Sequence, residues 1–510
     1  MAVAPDMAPG SAATASMRTI RNAEAVTIDQ IPLTAVETFR RTIRENCVAG
    51  ARLVALVVLP VGDGMLAVLA DDGRGVLHLL RTPVPADRRY PALTPDLPQA
   101  QGFEREILEE HGIVPEGHPW LKPLRRHAEL ETPWDACVGP DGYPFFRVEG
   151  PGIHEVAVGP VHAGIIEPGH FRFQCHGETV LHLEIQLGYQ RRDAEALLLR
   201  SSPARRLAIA ETIAGDTSIG YALAYSMALE ALTGVTPPPQ AEVVRGIALE
   251  LERLANHVGD LGALCNDVGY LPGASWFGRL RGEFLNLSLE LCGSRFGRGL
   301  VIPGGVRFDL PAAGRDAFLA RVHAADIDLR HIADVVFQTP AVVSRFDGTG
   351  VVTTALAETL GLVGVAARAS ACNRDVRRDH PTGVFRRTNI EPAAASSGGV
   401  MARAQIRRRE AESSIAFLRE QVDALSDGAR SVALGDARPR ALAVTLVEGW
   451  RGEIAHVAAT DDKGKLCAYK VVDPSFHNWL GLAIAMRGGQ ISDFPLCNKS
   501  FNLSYAGHDL

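Results

Sequence analysis

The stretch AEVVRGIALELERLANHVGDLGAL, residues 241–264, decides the fold of the larger part of the chain. Its apolar residues return every three or four positions, as they do along one face of a helix. They are Val244, Ile247, Leu251, Leu254, Val258 and Leu261. This spacing predicts a long helix packed against a core. The stretch IRRREAESSIAFLREQVDAL, residues 406–425, predicts a second amphipathic helix, with Glu/Arg pairs on its polar side.

Strand-like segments lie on both sides of these helices. Short apolar runs bounded by turn residues are typical of strands. They occur at 53–59, 65–69, 75–82, 154–158 and 170–186, and again after residue 440 in LAVTLVEGWRGEIAHVAATD. The sequence therefore predicts an α+β fold. A small N-terminal α/β domain precedes a large, mostly α-helical bundle domain with flanking β-strands.

Changes in composition predict the domain boundaries. The Ala/Pro/Ser-rich start indicates a flexible N-terminus over residues 1–25, and Pro, Gly and acidic residues indicate a linker over 127–153. We therefore expect a first domain at 26–126 and a second at 154–510.

Composition also excludes several classes of protein. A net charge of −7, spread along 510 residues, gives no reason to expect nucleic acid as a partner. The eight cysteines are widely separated and form no CxxC, which excludes an ordinary zinc site. No apolar run reaches the roughly 18 to 20 residues that cross a bilayer. The first twenty residues lack the charged and apolar regions of a signal peptide.

Several phrases, taken together and in order, resemble one pair of families. YPALTPDLPQAQGFEREILEEHGIVPEGHPWL (90–121) resembles the 30 kDa subunit of respiratory complex I. Five further phrases resemble the 49 kDa subunit, and equally the large subunit of group 4 nickel–iron hydrogenases. They are VGPVHAGIIEPGHFRF (158–173), VVRGIALELERLANHVGDLG (243–262), CNRDVRRDHPTGVF (372–385), EGWRGEIAHVAATDDKG (448–464) and DPSFHNWLGLA (473–483). The fused order and EPGHFR are most similar to the large subunit of hydrogenase-3 and hydrogenase-4, of the formate hydrogenlyase type.

The resemblance implies four cysteine ligands for nickel and iron, and this chain has none of them. In the hydrogenases two cysteines stand in R-x-C-G-x-C and two in a C-x-x-C near the C-terminus. The matching positions here are Ala214, Thr217, Ser504 and Gly507. Ala and Gly cannot ligate, and neutral hydroxyls are poor substitutes for soft thiolates. We therefore expect no NiFe centre and no metal bound by this chain.

The resemblance to the complex I subunit implies a quinone site formed by a tyrosine and a histidine. The tyrosine position is Gly215 here, and the loop GPVHAGIIEPGH is about two residues longer than in that family. His162 matches the first histidine of the loop, and His170 lies close enough to take the place of the headgroup histidine. His162 has an alternative role as an anchor of its own loop.

Two further residues match positions beside the hydrogenase metal. Glu167 matches a proton-transferring glutamate; its alternative role is that of a surface loop residue. Arg451 matches an arginine that overhangs the site; its alternative role is a salt bridge that holds the last strand. Five polar residues should converge where the metal would have been and line a remnant cavity: Asp216, Thr217, Ser504, His508 and Asp509.

The resemblance implies the large subunit of a complex I-like oxidoreductase, of the NADH:quinone oxidoreductase or hydrogenase type, inactive by itself. Its implied partners are a small subunit with a 4Fe–4S cluster, a ferredoxin-like subunit and antiporter-like membrane subunits. They would hold it at the cytoplasmic face of the cell membrane, with a quinone as possible acceptor. The alternative is a degenerate scaffold that couples redox and membrane modules without chemistry in the cavity.

Overall fold

The computed structural model describes residues 16–60, 62–125 and 143–510. The strands are β1 (Arg18–Ile20), β2 (Ala25–Thr27), β3 (Arg52–Val58), β4 (Met65–Asp71), β5 (Val76–Thr82), β6 (Arg89–Pro91), β7 (Val114–Glu116), β8 (Ile153–Val158), β9 (His170–His176), β10 (Thr179–Gln186), β11 (Val301–Ile302), β12 (Gly305–Val306), β13 (Ala441–Glu448), β14 (Glu453–Thr460) and β15 (Leu466–Val472). The helices are α1 (Val36–Val48), α2 (Gln101–His111), α3 (Ala194–Arg200), α4 (Pro203–Ala210), α5 (Ser218–Thr233), α6 (Pro239–Asp267), α7 (Leu271–Cys292), α8 (Ala312–Gln338), α9 (Pro340–Phe346), α10 (Thr354–Leu360), α11 (Gly364–Ala369), α12 (Val376–Asp379), α13 (Val400–Asp423), α14 (Pro474–Ala485), α15 (Phe494–Phe501) and α16 (Tyr505–Asp509).

The helical bundle is built around α6, the 29-residue helix that contains the opening stretch. All six of its periodic apolar residues are buried. It packs against α7 on one side and α13 on another. Helix α5 differs because it is buried on nearly all sides, which explains why its sequence shows no polar face. Among the described helices, none is both long enough and apolar enough to cross a membrane.

Three larger sheets accompany the bundle. The first has the antiparallel order β1-β5-β4-β3, and it confirms the apolar runs near the N-terminus as strands. The second has the order β10-β9-β8, and its β8–β9 connection is the loop at 159–169. The third has the order β15-β14-β13-β2. The predicted α+β fold is thus confirmed, with a β-rich N-terminal region and a larger helical region.

The third sheet joins the two predicted domains. Strand β2, from the N-terminal region, pairs with β13 through Val26 and Leu442. One hydrophobic core contains residues of both regions, among them Leu56 and Val444. The two regions therefore share a sheet and a core.

Structured residues lie within both segments that were expected to flank the two domains. Strand β1 lies within the segment expected to be flexible, and residues 1–15 of that segment lie outside the described part of the chain. Within the expected linker, Tyr143 is buried and β8 begins at Ile153, whereas residues 127–142 lie outside the described part. Strand β1 thus lies before residue 26, and β8 begins before residue 154.

Candidate functional site

The site is built on the tight turn between β13 and β14, which carries Trp450 and Arg451. Gly449 and Gly452 close this turn with two backbone hydrogen bonds of 2.8 and 3.1 Å. Gly452 has φ 143°, and a Cβ there would meet the backbone of Gly364 at 2.8 Å. Glycine is therefore required at 452, because both its conformation and the close approach of Gly364 exclude a side chain. The turn directs Arg451 towards the segment before α5.

Arg451 forms a two-pronged ion pair with Asp216. Its Nη1 and Nη2 each donate to one carboxylate oxygen of Asp216, both at 2.7 Å. The guanidinium lies 4.0 Å from the ring centroid of Trp450. Burial alone would raise the pKa of Asp216, but the charge and hydrogen bonds of Arg451 hold that pKa below its ordinary value. Both groups are therefore charged at neutral pH.

The same arginine ties the turn to the C-terminal segment. Its Nε donates to the carbonyl oxygen of Asn502 at 2.5 Å. Thr217, at one of the cysteine positions, accepts hydrogen bonds from Trp450 Nε1 at 3.1 Å and from Arg451 Nη1 at 3.3 Å. The two segments that carry the four cysteine positions are thus joined by Arg451.

Glu167 lies at the start of the C-terminal helix α16. Its Oε2 accepts a hydrogen bond from the Tyr505 N–H at 3.2 Å. Burial raises the pKa of Glu167, and the Asp216 charge raises it further, although the nearby Arg451 opposes the rise. The structure thus brings Glu167, Arg451 and Asp216 within electrostatic range of one another, around a carboxyl that is more readily protonated than usual.

The two loop histidines make contacts within their own loop. His162 Nε2 lies 2.8 Å from the carbonyl oxygen of Gly169, which is the anchoring role of a loop histidine. His170 Nδ1 lies 3.2 Å from the carbonyl oxygen of Gly159, and Arg172 Nε donates to its Nε2 at 3.3 Å. Both histidines border the loop that carries Glu167.

Ser504 and Gly507, the second pair of cysteine positions, are filled by a polar network. The Ser504 hydroxyl accepts from the Gly507 N–H at 2.9 Å. A Cβ built on Gly507 would overlap the carboxylate of Asp473. Asp473 is held by the Tyr221 hydroxyl and by the Ser475 N–H, the latter at 2.6 Å. The Asp473 carboxylate therefore takes the space that a side chain at residue 507 would need.

We expect Gly507→Ala to lower the free energy of unfolding by about 1–3 kcal/mol, the range for overpacking a closed core. Chemical denaturation of the purified protein measures it. Gly215→Ala is the matched control, because a Cβ there meets nothing within 4 Å. Equal stability of both variants would contradict a closed space at residue 507.

His508 and Asp509 make their contacts on another side of α16. Asp509 accepts from the N–H groups of Gly188 and Gln190, at 2.8 and 2.9 Å. His508 stacks on Phe476 and hydrogen-bonds through Nδ1 to Asp509 at 3.0 Å. Of the five residues expected to line the remnant cavity, only Asp216 and Thr217 contact Arg451 within the described residues. Ser504 hydrogen-bonds to Gly507 and Ser475, and His508 and Asp509 make the contacts given above.

Sequence reasoning missed several residues of this region. Tyr221 and Asp473 form their pair from distant segments, and nothing in the local sequence signals it. Glu252 accepts from the N–H groups of Ile219 and Gly220 at 2.7 and 3.0 Å, and burial raises its pKa to about 8. Its position on α6 beside α5 follows only from the packing of the two helices.

A buried network of ion pairs lies behind the site. Asp375 and Arg377 form one of these pairs, at 2.6 Å. Glu410 lies at the centre of the network. It accepts hydrogen bonds from Arg368, Arg253 and His257, at 2.8, 3.3 and 2.7 Å respectively. All four side chains are at most 2 % exposed. This network fixes α6 and α13 beneath the turn that carries Arg451.

The residues at the four cysteine positions do not fit a NiFe centre. They supply no thiolate, and the two hydroxyls are engaged in the hydrogen bonds described above. Within residues 16–60, 62–125 and 143–510, no group of three His, Cys, Asp or Glu side chains is placed to hold a metal ion.

Two family profiles match the chain. That of the respiratory-chain NADH dehydrogenase 49 kDa subunit matches residues 267–438, and that of the 30 kDa subunit matches residues 66–139. The chain thus combines in one polypeptide sequence regions of both complex I subunits.

Relatives extend these matches over most of the chain. Carbon monoxide-induced hydrogenase of Rhodospirillum rubrum is 31% identical over 350 residues, 68% of this chain and 97% of that protein. Hydrogenase-4 component G of Escherichia coli (strain K12) is 29% identical over 437 residues, 83% of this chain and 76% of that protein. NADH-quinone oxidoreductase subunit 4 of Thermus thermophilus is 27% identical over 401 residues, 72% of this chain and 96% of that protein. The chain therefore belongs to the family of group 4 hydrogenase large subunits and their complex I counterparts, with the 30 kDa-like and 49 kDa-like regions fused.

Proposed function

We propose that this chain is the large subunit of a complex I-like or hydrogenase-4-like oxidoreductase and works without a NiFe centre of its own. It receives electrons from a 4Fe–4S cluster in a partner subunit and reduces a quinone next to Glu167. The observation that carries the proposal is the grouping of Glu167 with the Asp216–Arg451 pair, at positions that the resemblance places beside the hydrogenase metal.

The chemistry that this chain contributes is proton delivery. Reduction of a quinone to a quinol takes up two electrons and two protons, the electrons coming from the partner's cluster. Glu167, with its pKa raised by burial, supplies one proton to a quinone oxygen and is reprotonated from solvent. The second proton comes from water, and Arg451 holds in place Asp216, whose charge helps to keep the pKa of Glu167 raised.

The same family membership supports a proposal for the remaining partners. We propose a ferredoxin-like subunit and antiporter-like membrane subunits, which hold the chain at the inner face of the cell membrane. The loop that carries Glu167 exposes Val161 and Ile165, with 75% and 88% of their surface accessible, and such residues suit burial against a partner. Since this chain brings no electron carrier, it is inactive alone.

The absence of a NiFe centre has a direct test. We expect protein from nickel-replete cells to contain less than about a tenth of a nickel atom per chain, because soft thiolate ligands are missing. Elemental analysis of the purified complex measures it, with a four-cysteine relative prepared in parallel as the positive control. A content near one nickel per chain would overturn this part of the proposal.

A scaffold without chemistry is the second candidate. The observation that favours it is that His162, His170 and Arg451 all make hydrogen bonds within the chain. The two candidates differ in one measurement. If the site is active, the assembled complex, reduced with a viologen dye, passes electrons to a water-soluble quinone. If the chain is a scaffold, the complex passes no electrons to that quinone.

A further inference from the structure

Asp216 and its neighbours occupy nearly all the donors of Arg451. A guanidinium has five N–H groups. The Nε–H is bound to Asn502, two of the Nη hydrogens point to the Asp216 carboxylate, and another lies within reach of the Thr217 hydroxyl. One N–H is left for a ligand, so the two-pronged face that recognises carboxylates is already filled from within the chain.

Exposure shows which charge a ligand meets first. The Asp216 side chain is 35 % exposed, whereas that of Arg451 is 6 % exposed. A molecule that enters from solvent therefore meets the carboxylate, with the guanidinium behind it.

The other charges that act on Arg451 are also negative. Asp473 and Asp260 both interact with it electrostatically, and Glu167 lies within range of it. Asp260 has its own cation, since Arg407 Nε donates to it at 2.7 Å. Among the described residues around Arg451, its single positive charge is thus already matched, and an incoming anion would meet repulsion.

We propose that Asp216 determines the charge of the ligand: by neutralising Arg451 it makes the region beside this pair a site for an uncharged molecule and closes it to small carboxylates. The inference rests on the proposed function only in taking the cavity to be a ligand site. Asp216 is a specificity-determining residue, and its effect is independent of electron transfer.

Formate is the probe, and isothermal calorimetry on the assembled complex is the measurement. Asp216→Asn keeps the side-chain shape and removes the negative charge, so Arg451 gains an unmatched positive charge. We expect formate to bind at least about tenfold more tightly to this variant than to wild type, because unit charges at contact distance interact strongly near a protein surface. The double variant Asp216→Asn/Arg451→Gln should lose that gain, which locates the anion at Arg451.

Asp328→Asn is the matched control, because Asp328 pairs with Arg279 on the exposed surface. It should leave formate affinity within about twofold of wild type, the scale of an exposed pair. Asp216→Ser is the second variant should the first fail to assemble. Unchanged formate affinity in both Asp216 variants would overturn the inference. So would a wild-type protein that binds formate and loses that binding in Arg451→Gln.

The outcome separates this inference from the proposed function. A gain of formate binding in a complex that never reduces quinone would contradict only the proposed reaction. Quinone reduction together with unchanged formate affinity would contradict only the role of Asp216.

Discussion

Replacing Glu167 by glutamine should lower quinone reduction by the assembled complex roughly 10²-fold or more, the scale of a lost proton-transfer group. Glutamine preserves the shape of the side chain and can still accept the Tyr505 N–H, so assembly should be unchanged. The assay follows quinol formation with dye-reduced complex. In wild type, turnover should fall as pH rises through the raised pKa of Glu167, because the acid form is then lost. The variant should lack that fall.

Glu178→Gln is the matched control, since Glu178 lies exposed in the turn between β9 and β10. It should keep wild-type turnover. Arg451→Lys should also lower turnover, because an ammonium cannot reproduce the two-pronged contact with Asp216. Wild-type rates in both Glu167→Gln and Arg451→Lys would contradict an active cavity and leave only the scaffold.

Replacing Glu410 by glutamine should lower the free energy of unfolding by about 3–5 kcal/mol, the cost of removing one partner from a buried ion pair. Two arginines and a histidine would then face a neutral amide in a region that is at most 2 % exposed. Denaturation in guanidinium chloride, followed by circular dichroism, gives the change.

An exposed ion pair provides the comparison. Arg279→Gln breaks the pair with Asp328 on the bundle surface and should cost no more than about 1 kcal/mol. If the Glu410 and Arg279 variants lost similar amounts of unfolding free energy, the buried network would contribute no more stability than an exposed ion pair.

The secondary structure of this chain could be predicted largely from local pattern. The apolar spacing in α6 and α13 and the apolar runs of β3 and β4 depend on residues close in sequence, and the structure confirms them. The pairing of β2 with β13 could not be predicted in the same way. Strand β2 is three residues long, and its partner β13 begins at residue 441, so no local signal connects them.

The candidate site, too, could be predicted from the sequence only in part. The positions of Glu167 and Arg451 came from motif resemblance; the structure pairs Arg451 with Asp216 and brings Glu167 within electrostatic range of both. What the motifs could not reveal is how the polar groups are used. The Asp216–Arg451 pair and the Asp473 carboxylate at Gly507 depend on segments brought together only by the complete fold.

The shared sheet has a consequence for biosynthesis. Asn22 hydrogen-bonds through its side chain to the carbonyl oxygen of Leu446, 424 positions along the chain, next to where β2 joins β13. During synthesis, Asn22 leaves the ribosome 424 residues before Leu446. At roughly 5–20 residues per second, the early strand waits tens of seconds for its neighbour. During that interval its apolar residues remain exposed to other chains. We therefore expect the chain's need for chaperones to depend on how fast the ribosome translates the helical bundle between β2 and β13. This holds even though β2 has only three residues.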